Sequence, residues 1–199
     1  MGGRKVGQHH GDLRRALLDA ALALVGEGAL ERLSLRGVAR RAGVSPGAPY
    51  HHFADKAALL AAVAEEGFRA LAALQQTHTE PVPGDRLEAM SADYVRFAVA
   101  HATHYRVMFA RSPGQVDPAE GGALRGTALQ TFGMLVEAVA AANPALDADE
   151  ARRRAVVGWS LAHGAVGVAP WVGELDPSFD VEDLARRVGR AIRGIAEAP

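Results

Sequence analysis

The sequence predicts an all-α protein of about nine helices, divided into a small basic head and a larger acidic body. Three observations carry this. Alanine fills 41 of the 199 positions, and it is the best helix former. Apolar residues recur at three- and four-residue intervals, the face of a helix, whereas no stretch alternates with period two as a half-buried strand would. Charge is segregated. Residues 1–56 hold nine Lys and Arg against five Asp and Glu, and the other 143 hold thirteen against eighteen, so a net charge of −1 conceals a +4 head and a −5 body.

The elements follow in order. Residues 1–10 are Gly-, His- and Arg-rich without periodicity and read as a mobile basic arm. A first helix starts near Asp12, with Leu13, Leu17, Ala21, Leu24 and Val25 on one face, and stops at Gly26 and Gly28. Ser34 is placed to cap a second helix carrying Leu35, Val38, Ala39 and Ala42, because its hydroxyl can accept an orphan N–H of the first turn. Gly43 ends it. Ser45-Pro46 opens a third, very short helix, an N-cap followed by proline at the first helical position. Asp55 caps a long Ala/Leu helix to about Gln76. Further helices are expected over Arg86–His101, His104–Ala110, Ala123–Ala142, Ala148–Ala169 and Val181–Glu197, with Ser112–Gly122 a loop and Pro170 and Pro177 separating the last two.

Composition excludes several classes. With no cysteine there is no disulfide framework, thiol catalysis or Cys-ligated zinc. No apolar stretch follows the basic N-terminus, and no window reaches the ~18 uninterrupted apolar residues of a membrane span, so the expectation is a cytoplasmic chain without membrane contact. No Gly-rich phosphate loop or nucleophile elbow is present. His101 and His104 lack a third metal ligand at suitable spacing. No enzyme, metal or cofactor is expected.

The informative stretch is Ser34 to Phe53. Two short helices joined at Ala42-Gly43-Val44 fit a helix-turn-helix, in which Ala39 permits close crossing and Gly43 supplies φ > 0 at the turn. The second helix of such a unit enters the major groove. Its leading positions Pro46, Gly47 and Ala48 carry no hydrogen-bonding side chain, which leaves thymine-methyl contact or DNA shape there. Direct readout then falls to Arg36, Tyr50 and His51. Pro49 stands where the first intrahelical donor is due, so this helix must tighten or distort.

The strings Leu35-Arg36-Gly37-Val38-Ala39, Gly43-Val44-Ser45, Tyr50-His51-His52-Phe53 and Asp55-Lys56 resemble the head of the TetR family of bacterial transcription regulators. Pro49 departs from the family's aliphatic residue at that position. The resemblance implies a double-stranded operator as partner, with Tyr50 and His52 against DNA and Lys56 on a phosphate; Ser34 and Ser45 complete the expected contact set. It also implies a head over 1–56, and over 57–199 a body that binds a small effector and forms a homodimer. Phe97, His101, Tyr105, Met108, Phe132, Trp159 and His163 are the expected effector-site residues. Trp159 through His163-Gly164 resembles a Trp-His-Gly motif of one subgroup of such bodies, although these residues equally read as buried packing partners.

For the dimer, the eighth helix presents Gly158, Ala162, Ala165, Val166 and Ala169, and the ninth Leu184, Val188, Ala191, Ile192 and Ile195. The expected activity is repression relieved by an apolar or amphipathic effector. An all-α ligand-binding or catalytic bundle with a vestigial head, and a DNA-binding dimer with a filled body, stay open at this point.

Overall fold

A computed structural model describes residues 6–110 and 118–199. Among them are eight α-helices, one 3-10 turn and no strand: α1 (Val6–Gly26), α2 (Leu35–Arg41), the turn Ala48–His51, α3 (Lys56–Gln75), α4 (Pro83–Ala100), α5 (Ala102–Met108), α6 (Pro118–Ala142), α7 (Ala148–Leu175) and α8 (Val181–Glu197). Arg4 and Lys5 of the expected arm lie outside the described residues, as does most of the expected loop after Ser112, and helix is already present from Val6 and from Pro118. Two compact units emerge. One holds the chain up to Gly67 with Thr103–Gly126, the other Phe68–Ala102 with Thr127–Pro199.

In the first unit, α1 and α2 end by the same device. Gly28 and Gly43 take φ +80° and +69°. Around Gly28, its N–H reaches Val25 O at 3.0 Å and the Ala29 N–H reaches Leu24 O at 3.0 Å; around Gly43 the equivalent bonds go to Arg40 O and Ala39 O. These paired bonds satisfy the last carbonyls of each helix and require a left-handed residue, which glycine adopts without strain. Ser34 caps α2, accepting from Gly37 N at 3.2 Å. Leu17, Leu18, Ala21 and Val25 of α1 and Leu35, Val38 and Ala39 of α2 are buried, with Phe53 beyond them.

The second unit is built on α4 and α8. Leu87, Met90 and Val95 of α4 and Ala185, Val188 and Ile192 of α8 are buried. The helices approach so closely that a Cβ at Gly189 would overlap the Glu88 carbonyl oxygen. On α7, a Cβ at Gly158 would lie 3.0 Å from Ile192. Asp147 caps α7 through Glu150 N at 2.7 Å. Arg154 and Asn143 donate to Ala196 O at 3.1 and 3.2 Å, meeting carbonyls that the end of α8 leaves unsatisfied.

Pro170 does not separate the last two helices: α7 runs through it to Leu175 and is capped at Asp176, whose N–H reaches Val172 O. Proline forfeits one donor and crowds the preceding turn, yet its fixed φ is helical, and 28 residues of cooperative helix outweigh one lost bond.

Gly189→Ala is expected to lower unfolding free energy by about 1–3 kcal/mol through backbone displacement. Gly194→Ala, where the added methyl meets nothing, should raise it by up to about 1 kcal/mol. Urea denaturation of both variants checks the pair.

Candidate nucleic-acid interface and ligand site

The DNA-facing candidates run from the Ser34 cap of α2 through the turn after it to Lys56 at the start of α3. An α-helix from Ser45 would need a Pro49 N–H for the Ser45 carbonyl, and proline has none. Instead the Ala48 N–H takes Ser45 O at 3.0 Å, and the Tyr50 N–H takes Gly47 O at 3.2 Å. The result is a four-residue 3-10 turn with buried Pro49 at its start and no side-chain cap. The distortion expected from Pro49 is therefore present, whereas Ser45 as N-cap of an α-helix is not. Proline also disfavours α geometry at the residue before it, here Ala48.

On α2 Arg36 and Arg40 are exposed, as are Ser45, Pro46, Gly47 and His51 before and along the turn, and Tyr50 is 54% exposed. Ala48 is half-buried. Ser34 is exposed, but its hydroxyl is engaged by the Gly37 N–H. His52 is half-buried, its ring 6.3 Å from that of Phe53, over which the Arg14 guanidinium sits at 5.6 Å. Two head cations have anionic partners: Arg41 with Glu27 at 2.7 Å and Arg15 with Asp19 at 2.5 Å. Lys56 Nζ donates to Leu30 O and Glu31 O, both at 2.8 Å. It is a clamp on the α1–α2 loop, and two of its three donors are spent there.

In the second unit, α4 and α7 bring Tyr94, Trp159 and His163 into a hydrogen-bonded chain. The Trp159 indole N–H donates to the Tyr94 hydroxyl at 3.1 Å, and that oxygen is 3.1 Å from His163 Nδ1. An indole N–H only donates, so the arrangement is satisfied by Tyr94 passing its own proton toward Nδ1 of a neutral imidazole. Burial pushes the His163 pKa below its ordinary value, which favours that neutral form. Phe132 meets Trp159 edge-on at 6.2 Å and carries the Arg152 guanidinium 5.6 Å above its ring. Phe97 and His101 pair at 4.7 Å.

The expected effector residues thus divide. Phe132, Trp159 and His163 form one cluster, and Phe97 with His101 a pair. Tyr105 and Met108 belong to the first unit, where the Tyr105 ring lies 4.8 Å from that of Phe109 at a tilt of 56° and Met108 is buried beside Gly67. Tyr94 was missed as a site residue, although a tyrosine among the apolar positions of a helix must find a partner for its hydroxyl. A separate groove of about 740 Å³, lined by Gln76, Glu80, Arg86, Met134 and Glu137 among others, contains none of the expected residues.

The expected dimer residues divide as well. Gly158, Ala162, Val166 and Ala169 of α7 and Val188 and Ile192 of α8 are buried within one chain, as Gly158 against Ile192 illustrates. Ala165, Leu184 and Ile195 are half-buried and Ala191 is exposed. The open face of α7 is the other one: Val157, Leu161, Val168, Trp171 and Leu175 are 40–66% exposed. Among the described residues α7 is the one helix long and apolar enough to cross a membrane.

A family model of bacterial regulatory proteins, tetR family, matches residues 17–63, and one of tetracyclin repressor-like C-terminal domains matches 87–196. The chain belongs to the TetR family. This is a family of DNA-binding transcription regulators, not of enzymes. Over 87 residues, 44% of the chain and 40% of the relative, it is 33% identical to the HTH-type transcriptional regulator AcrR of Shigella flexneri. It is 35% identical over 104 residues, 51% of each chain, to an HTH-type transcriptional regulator of Haemophilus influenzae. The chain therefore spans about half or less of these relatives' lengths. A solved protein of unknown function from Rhodococcus sp. RHA1 superposes with a TM-score of 0.76 and 29% identity, covering 96% of this chain and 97% of that one.

The lowered His163 pKa has a definite sign in stability. The unfolded state binds the proton more readily, so the stabilisation is complete above the unfolded value near 6.5 and is lost as pH falls through it toward the folded value. Melting temperature should drop over that window, and His163→Phe should flatten the drop. Tyr94→Phe, which deprives the indole N–H of its acceptor, is expected to cost about 1–3 kcal/mol. Thermal unfolding at pH 5–8 measures both effects.

Proposed function

We propose that the chain is a ligand-responsive transcriptional repressor of the bacterial cytoplasm, binding a pseudo-palindromic operator as a homodimer. The observation that carries the reading is the head: two short elements joined at a left-handed Gly43, with Arg36 exposed on the first and Tyr50 and His51 exposed on the second. Residues 1–56 are assigned to DNA and 57–199 to effector and partner, a division by role rather than by packing. Direct readout rests on Arg36, with a fork suited to guanine, and on Tyr50 and His51. His52 and the Ser34 and Ser45 region support the backbone approach, and Pro46, Gly47 and Ala48 offer only apolar contact.

A 3-10 turn of four residues reads few base edges, so affinity must come from two half-sites held about one helical turn apart, ~34–36 Å. The outward stripe of α7 supplies the seam. Val157, Leu161, Gly164, Val168, Trp171 and Leu175 are spaced by fours and threes along one face, the pattern of a helix–helix contact. Half-buried Leu184 and Ile195 and exposed Ala191 of α8 are the parts of the expected interface still available to join it. The inward face of α7 is already occupied by α8, which leaves a stripe to cover rather than a cylinder to immerse in lipid. The effector reading rests on the Tyr94–Trp159–His163 chain with Phe132, a small polar relay in apolar surroundings. An effector shifts the heads only by its difference in affinity between two dimer geometries.

Selection of bound DNA from a random pool tests the operator: an enriched inverted repeat is expected, and no enriched site at moderate salt overturns the reading. Arg36→Ala should cost about 1–3 kcal/mol and relax one base preference. Leu161→Asp should yield monomers in sedimentation, and a dimer that persists with Leu161→Asp would place the seam elsewhere.

A further inference from the structure

We propose that the first unit itself holds a binding site for a compact apolar carboxylate, anchored by the Lys56 ammonium. A cavity of about 210 Å³ opens among the α1–α2 loop, the start of α3, α5 and α6. Leu60, Ala64, Val107, Met108 and Leu124 line it, and Lys56 and Glu31 are its charged members. Drug-sized pockets begin near ~300 Å³, and an apolar cavity of ~150 Å³ takes a benzene ring. The space therefore admits one aryl ring or a short alkyl chain.

Charge selects the head group. Glu31 has a cation nearby in Arg106, at 3.9 Å, so Glu31, Arg106 and Lys56 together leave one net positive charge. The Lys56 ammonium has committed two donors to the neutral carbonyls of Leu30 and Glu31 and keeps a third. A carboxylate is a stronger acceptor than a carbonyl, and the flexible lysine stem lets the ammonium follow it. Those carbonyls lie between the Gly28 turn and the Ser34 cap. A ligand that draws Lys56 away thus releases the loop that leads into the DNA-reading helices, within the same compact unit. This deepens the regulator reading and depends on it for its consequence, not for the binding itself.

The test is calorimetry on the full chain with octanoate, 1-octanol and octylamine as probes. Octanoate should bind at one site per chain about tenfold more tightly than either of the others, a difference within the reach of one charged contact. Lys56→Met should abolish that preference, and Ala64→Leu, which fills the cavity, should abolish binding of octanoate; Leu60→Phe serves if Ala64→Leu does not fold. Absence of octanoate binding, equal affinity for all three probes, or an unchanged preference in Lys56→Met overturns the site. Octanoate should also weaken operator binding by wild type, and unchanged operator affinity with octanoate bound overturns the coupling to the head. A chain that takes octanoate as expected but never binds operator upholds the site and defeats the regulator reading.

Discussion

Everything in the head depends on where its backbone donors and acceptors can go. Gly43 must be left-handed for α2 to stop with its carbonyls satisfied and for the chain to turn into the next element. Pro49 then withholds the donor that an α-helix from Ser45 would need, and the segment closes into a 3-10 turn instead. The exposed side chains inherit that geometry. Tyr50 and His51 project from the turn because Pro49 is the residue it buries. The reading head is thus set by one glycine that permits a turn and one proline that forbids a helix.

Lys56 shows how a single side chain links such local rules to tertiary structure. Its position at the start of α3 suits an anion. Yet its ammonium is held by two loop carbonyls, so the residue first of all ties α3 to the loop ahead of α2. Charge-assisted bonds to carbonyls are strong enough to fix a loop and weak enough to be displaced by a better acceptor. A residue expected only to touch DNA therefore also determines how the DNA-reading elements are held.

In the second unit the corresponding constraint is the close approach of α4 and α8 at Gly189. Once those helices occupy each other's apolar faces, α7 packs its small residues inward, with Gly158 against Ile192, and leaves its large ones outside. The Tyr94–Trp159–His163 chain follows from the same packing. The hydroxyl of a buried tyrosine must find polar partners, and α7 delivers two of them four residues apart on one helix face.

Local signals sufficed for the all-helical class, the Ser34 cap, the Asp55 cap, whose carboxylate accepts from Ala58 N at 2.9 Å, the Gly43 turn and the distortion at Pro49, because each depends on a few neighbouring backbone groups. Two neighbouring questions lay beyond them. Pro170 reads locally as a stop, but a long helix absorbs its single lost bond. α7 carries two apolar stripes, one of small residues and one of large. Periodicity finds both without saying which is spent inside the subunit. Propensity, caps and charge are properties of residues, so a helical, helix-turn-helix chain with a basic head and an acidic body is legible without any tertiary contact. That Gly158 meets Ile192 of α8 and Ala162 is buried while Leu161 and Trp171 face outward, and that Tyr94 joins Trp159 and His163, came from packing. Those outcomes depend on which helices meet, and that is a competition among faces no single segment can resolve.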